Sequence, residues 1–95
     1  MFKLKPMDSF QISSALETIP GWQRQGAAIS RRYQFADFPT AMLFVNQVAR
    51  MADELKHHPD IDIRWNMVTL ALTTHEAGGL TDRDFTLARQ FDRLV

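Results

Sequence analysis

Residues 57–76 read His57-His58-Pro59-Asp60-Ile61-Asp62-Ile63-Arg64-Trp65-Asn66-Met67-Val68-Thr69-Leu70-Ala71-Leu72-Thr73-Thr74-His75-Glu76. Proline disfavours helical geometry in the residue before it, so a helix arriving from upstream must stop at His57-His58. Ile61, Ile63 and Trp65 then alternate with Asp62 and Arg64, the period of a half-buried strand with Trp65 in the core. A tight turn near Asn66 leads into a second strand. Val68, Leu70 and Leu72 face one side of it, and Thr69, Ala71, Thr73 and His75 the other; Gly78-Gly79 breaks it.

Upstream, Asp37-Phe38-Pro39 opens the longest helix. Asp37 can cap the free N–H groups, and Pro39 sits in the first turn, where its missing donor costs nothing. Phe38, Ala41, Met42, Val45, Val48, Ala49, Ala52 and Leu55 follow the spacing of a buried stripe. Leu43, Phe44 and Met51 fall outside it, so the apolar surface is wide enough for a helix sunk in the core or for one that also meets a partner subunit. Nearer the start, Phe10, Ile12, Leu16 and Ile19 predict a short helix over about Ser9 to Ile19, stopped by Pro20-Gly21. Trp22 to Gln25 and Ala28 to Phe35 predict two strands around Gly26. Arg31 shares a face with Ile29, Tyr33 and Phe35, which makes that face less cleanly apolar than its opposite is polar.

Downstream, Thr81 and Asp84 have capping-box spacing, and Leu80 and Phe85 can form the hydrophobic staple of a last helix. Leu87, Ala88, Phe91 and Leu94 supply its buried stripe. The order α-β-β-α-β-β-α predicts an α+β fold, with a four-stranded antiparallel sheet covered on one face by helices. The whole of 1–95 reads as a single domain, with no linker, repeat or low-complexity segment.

Composition narrows the function. Lys+Arg 11 against Asp+Glu 11 leaves a net charge of zero, so no basic footprint argues for nucleic acid. Zero cysteines rule out disulfides and thiolate metal sites and fit a reducing compartment. Met1-Phe2-Lys3-Leu4-Lys5-Pro6 carries the charges of a signal peptide with no apolar stretch behind them. No apolar run approaches the length that spans a bilayer. A soluble, cytoplasmic domain is expected, small enough that oligomerisation would be a natural way to bury more surface.

All three histidines fall within residues 57–75, each near the end of an element. Imidazole is the one side chain whose unperturbed charge changes near neutral pH, so the group points to proton transfer. Each residue also has a plainer reading. His57 and His58 can interact with the negative end of the helix dipole, and the capping box accounts for Asp84 in full. Thr73 and Thr74 can be ordinary strand residues. Asp53, four residues before His57, lies on the same helical face and can hold one of its ring nitrogens. Zinc accepts three imidazoles plus water. The helical His-x-x-x-His spacing of such sites is missing, and the reading assigns no metal.

Taken together, Asp53-Glu54-Leu55-Lys56-His57-His58-Pro59, then Trp65, His75 and Asp84 resemble the signature of the pterin-4a-carbinolamine dehydratases. That signature runs acidic residue, three positions, His-His-Pro, five positions, an aromatic, nine positions, His, and an Asp further on. Thr73-Thr74-His75-Glu76 and Gly79-Leu80-Thr81-Asp82-Arg83-Asp84 are similar to the family's flanking Ser-Thr-His-Glu and Gly-Leu-Ser-Glu-Arg-Asp. Gly21-Trp22 and the segment from Tyr33 to Phe38 match in character. Asp53 stands where many members have Glu, and Thr73 where many have Ser.

The resemblance implies a hydro-lyase, a 4a-hydroxytetrahydrobiopterin dehydratase that recycles the cofactor of aromatic amino acid hydroxylases without a cofactor of its own. It implies His57 and His75 as acid and base in an undecided order, and His58 as the residue that holds the pterin. Pro59, Thr74, Glu76 and Ala77 would contact the ring. Asp53 would orient His57, and Asp84 would tie the loop carrying His75 to the last helix. Trp22 could stack on the ligand or pack in the core. A homodimer or homotetramer is implied, built by sheet extension and helix packing. Two alternatives follow from the same resemblance: a non-catalytic pterin-binding or dimerisation cofactor of a transcription activator, and a molybdopterin-related pterin enzyme.

Overall fold

A computed structural model of the protein describes residues 4–95. Met1, Phe2 and Lys3, the start of the N-terminal stretch read above, lie outside the described residues. The order is α1 (Ser9–Glu17), β1 (Gln23–Gln25), β2 (Ala28–Gln34), α2 (Phe38–Glu54), β3 (Asp60–Arg64), β4 (Met67–Leu72), a single 3-10 turn (His75–Ala77) and α3 (Asp82–Asp92). The sheet order is β1-β2-β4-β3, antiparallel at each step. The expected α+β fold is therefore the one observed.

Local chemistry sets the helix ends. Asp8 caps α1 in a reciprocal box with Gln11, two residues before the apolar spacing starts. The helix stops at Glu17, short of Ile19, because the Thr18 hydroxyl donates to the Ala15 carbonyl and the chain turns there. Asp37 Oδ1 accepts from the Thr40 N–H at 2.9 Å, so the cap of α2 is as expected. Thr40, through its side chain first and its backbone N–H second, holds the fully exposed Asp37 carboxyl below the usual carboxylate range.

The buried arc of α2 is Ala41, Phe44, Val45, Val48 and Ala52, which corrects the expected stripe. Phe44 lies inside it, with its ring 4.6 Å from that of Tyr33 and 5.0 Å from that of Phe35. Phe38 and Ala49 lie outside it and are exposed. At about 100° per residue, Phe44 stands about 60° to one side of Ala41, and Phe38 and Ala49 stand similarly far to the other. The sheet takes the aromatic side. Leu55 keeps the right angle but lies past the end of the covered region and is exposed.

Strand β3 departs further from expectation. Ile61 and Ile63 pair with Leu70 and Val68, so they point to the helical face. Among the described residues β3 is the last strand of the sheet, with no strand on its other side, and all five of its residues are exposed where a half-buried pattern was expected. Trp65 is not in the core: it sits in the β3–β4 turn at φ 52 and is 68 % exposed.

Arg31 does share the inner face with Ile29 and Tyr33. Its guanidinium carbon lies 4.5 Å from the Tyr33 ring centroid, and Nη1 donates to Asp92 Oδ1 at 2.8 Å. The same oxygen accepts from Trp22 Nε1 at 3.0 Å and from the Tyr33 hydroxyl at 2.5 Å. One carboxylate in the last turn of α3 thus collects three donors, two of them from β2. Trp22 is in the core as part of this cluster, 3 % exposed. Gly21 leaves room beside it: a Cβ there would fall 2.7 Å from the Arg31 guanidinium, which would have to shift.

Burial first, then the hydrogen bond from Tyr33 to Asp92, push the Tyr33 phenol well above its ordinary range. An unfolded tyrosine loses its proton near pH 10, whereas the folded one keeps it. The contribution of Tyr33 to stability is therefore full below about pH 10 and lost as pH rises beyond it. Urea midpoints should fall between pH 9 and pH 11, and Tyr33→Phe should flatten the part of that slope that belongs to this phenol.

Candidate active site

The long helix does not end by fraying. Lys56 adopts φ 55, His57 N–H donates to Ala52 O at 3.1 Å, and Lys56 N–H donates to Asp53 O at 3.3 Å. These are the two hydrogen bonds of a Schellman turn, with lysine where glycine is usual. A left-handed conformation costs a non-glycine residue about 1 kcal/mol. The turn takes His57 off the helical face that carries Asp53 and into the protein, where it is 7 % exposed.

There His57 Nε2 meets Asp84 Oδ1 at 2.6 Å. Asp84 is 0 % exposed. Its other oxygen accepts from the Thr81 N–H at 3.0 Å, completing the expected capping box, and from the Thr74 hydroxyl at 2.8 Å. Since Thr74 Oγ1 gives its proton to Asp84, the 2.9 Å contact between Thr74 and Thr81 requires Thr81 Oγ1 to donate there. Thr81 Oγ1 in turn accepts from the Arg83 N–H. Among the described residues no buried side-chain polar atom lacks a partner. A fully satisfied network of this kind fixes rotamers and holds one arrangement. An ionised carboxylate only accepts, so in the neutral ring facing Asp84 puts the His57 proton on Nε2 and leaves Nδ1 with the lone pair.

Asp84 therefore does what capping requires and more. The expected Asp53–His57 pairing is replaced: Asp53 Oδ1 lies 3.4 Å from His58 Nε2, and both side chains are largely exposed. The reason is the turn at Lys56, since the i, i+4 relation holds only where the helix continues. Pro59 follows, half-buried, and leads into β3.

His75 is not a strand residue. Strand β4 ends at Leu72, and Thr74 forms a lone bridge with Gly79. His75, Glu76 and Ala77 form the 3-10 turn, closed by Gly78 at φ 75. Thr73 Oγ1 donates to Ala27 O at 2.5 Å, which ties this corner to the β1–β2 hairpin. His75 is exposed and lines a cavity of about 270 Å³ with Thr73, Ala28 and Gly79, whereas His57 lines one of about 230 Å³ with Leu55, Thr86 and Leu87.

Arg83 was not expected in the site. Its Nη1 donates to Glu76 Oε2 at 3.0 Å and its Nη2 to the Lys56 carbonyl at 3.1 Å. The sequence sign was its place in Gly79-Leu80-Thr81-Asp82-Arg83-Asp84, the segment similar to the family's Gly-Leu-Ser-Glu-Arg-Asp, but nothing there names its partners. Among the described residues no three His, Cys, Asp or Glu side chains are grouped to hold a metal ion. Among the described residues no helix is long and apolar enough to cross a membrane.

A histidine locked on a buried carboxylate, with a second histidine on the loop held by that carboxylate's other oxygen, is equipment for proton transfer. The sequence profile of the family described as Pterin 4 alpha carbinolamine dehydratase matches residues 5–94. The chain belongs to the pterin-4a-carbinolamine dehydratase family. A protein of Thermomicrobium roseum, named as a candidate pterin-4-alpha-carbinolamine dehydratase, is 57% identical over 94% of this chain and 96% of its own. One from Nocardia farcinica with the same name is 55% identical over 90% of each. The crystal structure of a transcriptional coactivator/pterin dehydratase from Brucella melitensis superposes with a TM-score of 0.91 at 34% identity, covering 95% of this chain and 98% of that one. A pterin dehydratase-like protein described as a RuBisCO assembly factor of the alpha-carboxysome shares the fold alone, with a TM-score of 0.64 at 20% identity.

Proposed function

We propose that this member of the family dehydrates 4a-hydroxytetrahydrobiopterin to the quinonoid dihydropterin by histidine acid/base catalysis, as a hydro-lyase. The observation that carries the reading is the buried His57 Nε2–Asp84 Oδ1 contact of 2.6 Å. In the elimination the bond from carbon 4a to the hydroxyl oxygen breaks and the hydroxyl leaves as water with a proton from an acid. Nitrogen 5 gives its proton to a base, and a double bond forms between carbon 4a and nitrogen 5. The step is proton transfer alone and calls on no metal or redox group.

His57, oriented by Asp84, supplies one of the two proton-transfer groups through Nδ1, and His75 supplies the other. His58 and Pro59 hold the pterin from the His-His-Pro corner. Glu76 and Ala77 offer backbone groups from the 3-10 turn, the Glu76 carboxylate being already engaged by Arg83. Thr74, expected at the ring, is fully buried, with its hydroxyl on Asp84 and its backbone paired with Gly79 and Ala77, so it holds the turn in place instead of touching the pterin. The product suits recycling for an aromatic amino acid hydroxylase in the cytoplasm. We assign the chain to a homodimer or homotetramer. Support comes from the unpaired edge of β3 and from exposed Ile61, Ile63 and Trp65 there and Leu43 on α2. The same exposed surface, with the coactivator named for the Brucella melitensis structure, favours a second reading as a protein-binding cofactor.

Rapid mixing of synthetic 4a-hydroxytetrahydropterin with and without protein tests the dehydratase reading. Positioned acids and bases typically contribute about 10²–10⁴-fold, and acceleration of that order is expected. Folded protein that leaves the spontaneous rate unchanged would turn attention to the second reading.

A further inference from the structure

We propose that Arg83 is a positioning residue, a two-ended guanidinium latch that fixes the His57 corner against the turn carrying His75. The first turn of α3 reaches both corners twice. Asp84 does so in the interior, through His57 and Thr74. Arg83 does so at the surface, through the Lys56 carbonyl and the Glu76 carboxylate, each adjacent in sequence to a histidine of the site. The surface ion pair with Glu76 would by itself contribute little. What gives the contact weight is its other end. Lys56 holds a left-handed conformation that lysine rarely adopts, and this is the residue whose conformation turns His57 inward. The carbonyl that Arg83 holds belongs to that strained residue. A guanidinium can serve both acceptors because its donors are fixed in a planar fork, whereas an ammonium presents a single point of charge.

The activity readout rests on the dehydratase reading; a second readout does not. In Arg83→Met, kcat should fall about tenfold while KM changes less than about twofold, because the loss is in the geometry of the reacting groups. Arg83→Lys should fall nearly as far, as charge without the fork reaches only one end. Lys56→Gly added to Arg83→Met should restore kcat by about threefold or more, since glycine takes the left-handed turn without strain and needs no latch. The imidazole resonances of His57, read by NMR on protein without substrate, should shift or broaden in both Arg83 variants and return in the double variant. Wild-type kcat and an unmoved His57 resonance in Arg83→Met would overturn the proposal. So would full activity in Arg83→Lys, or no recovery on adding Lys56→Gly. If wild type does not accelerate dehydration but the His57 resonance responds as described, the dehydratase reading fails and the latch stands.

Discussion

Replacing His57 is expected to lower kcat for dehydration by about 10²–10⁴-fold, the range that a positioned acid or base supplies. The choice of substitution matters, because His57 is also structural. In His57→Ala the buried Oδ1 of Asp84 loses its partner, and stranding a buried acceptor costs about 1–3 kcal/mol. A loss of activity there would mix chemistry with instability. His57→Gln separates them: the glutamine amide can still donate towards Asp84 but cannot relay a proton. We expect His57→Gln to keep a urea midpoint close to wild type and still lose most of its rate. His75→Ala should also lose most activity, and with less effect on stability, since His75 is exposed. Wild-type rates in both His57→Gln and His75→Ala would remove the acid/base assignment.

Asp84→Asn should have the second large effect, and it tests the tautomer directly. Oδ2 of Asp84 accepts from two donors, the Thr81 N–H and the Thr74 hydroxyl. An asparagine must therefore place its carbonyl oxygen on that side. Its NH₂ group then faces His57 Nε2, which can no longer carry a proton and becomes the acceptor. The ring proton moves to Nδ1, the atom assigned to proton transfer. Packing and the helix cap are largely kept, so the cost in stability should be modest, whereas kcat should fall about 10²-fold or more. Nitrogen-15 shifts of His57 would report the exchange of tautomer, and unchanged shifts with wild-type kcat would show that Asp84 acts as a cap alone. Asp84→Ala is the harsher variant. It leaves three donors without their acceptor in a fully buried place, and should cost about 3–5 kcal/mol.

Where the sequence and the structure agree, the determinants are local. Asp37 and Thr81 cap the helices that their spacing assigns to them, and alternation in Val68, Leu70 and Leu72 marks the inner face of β4. Where they differ, a longer-range choice intervenes. Phe44 is buried and Phe38 exposed because the sheet lies to one side of the arc. Trp65 is exposed because β3 is an edge strand whose hairpin turns away from the helices. His75 leaves the strand pattern because β4 stops at Leu72 and the chain turns before Gly78.

The amino-acid sequence by itself determined the order of the elements and the family, and it singled out the histidines to which we assign the chemistry. Capping, periodicity and fixed motif spacing are all properties of neighbours along the chain. Only the tertiary structure decided who holds whom. Asp53 looked like the partner of His57 from four residues away, but a left-handed Lys56 breaks that relation. His57 is given instead to Asp84, 27 residues distant in the chain. The contacts of Arg83 could not be found from sequence for the same reason, since its acceptors are a backbone carbonyl and a loop carboxylate that only folding brings within reach.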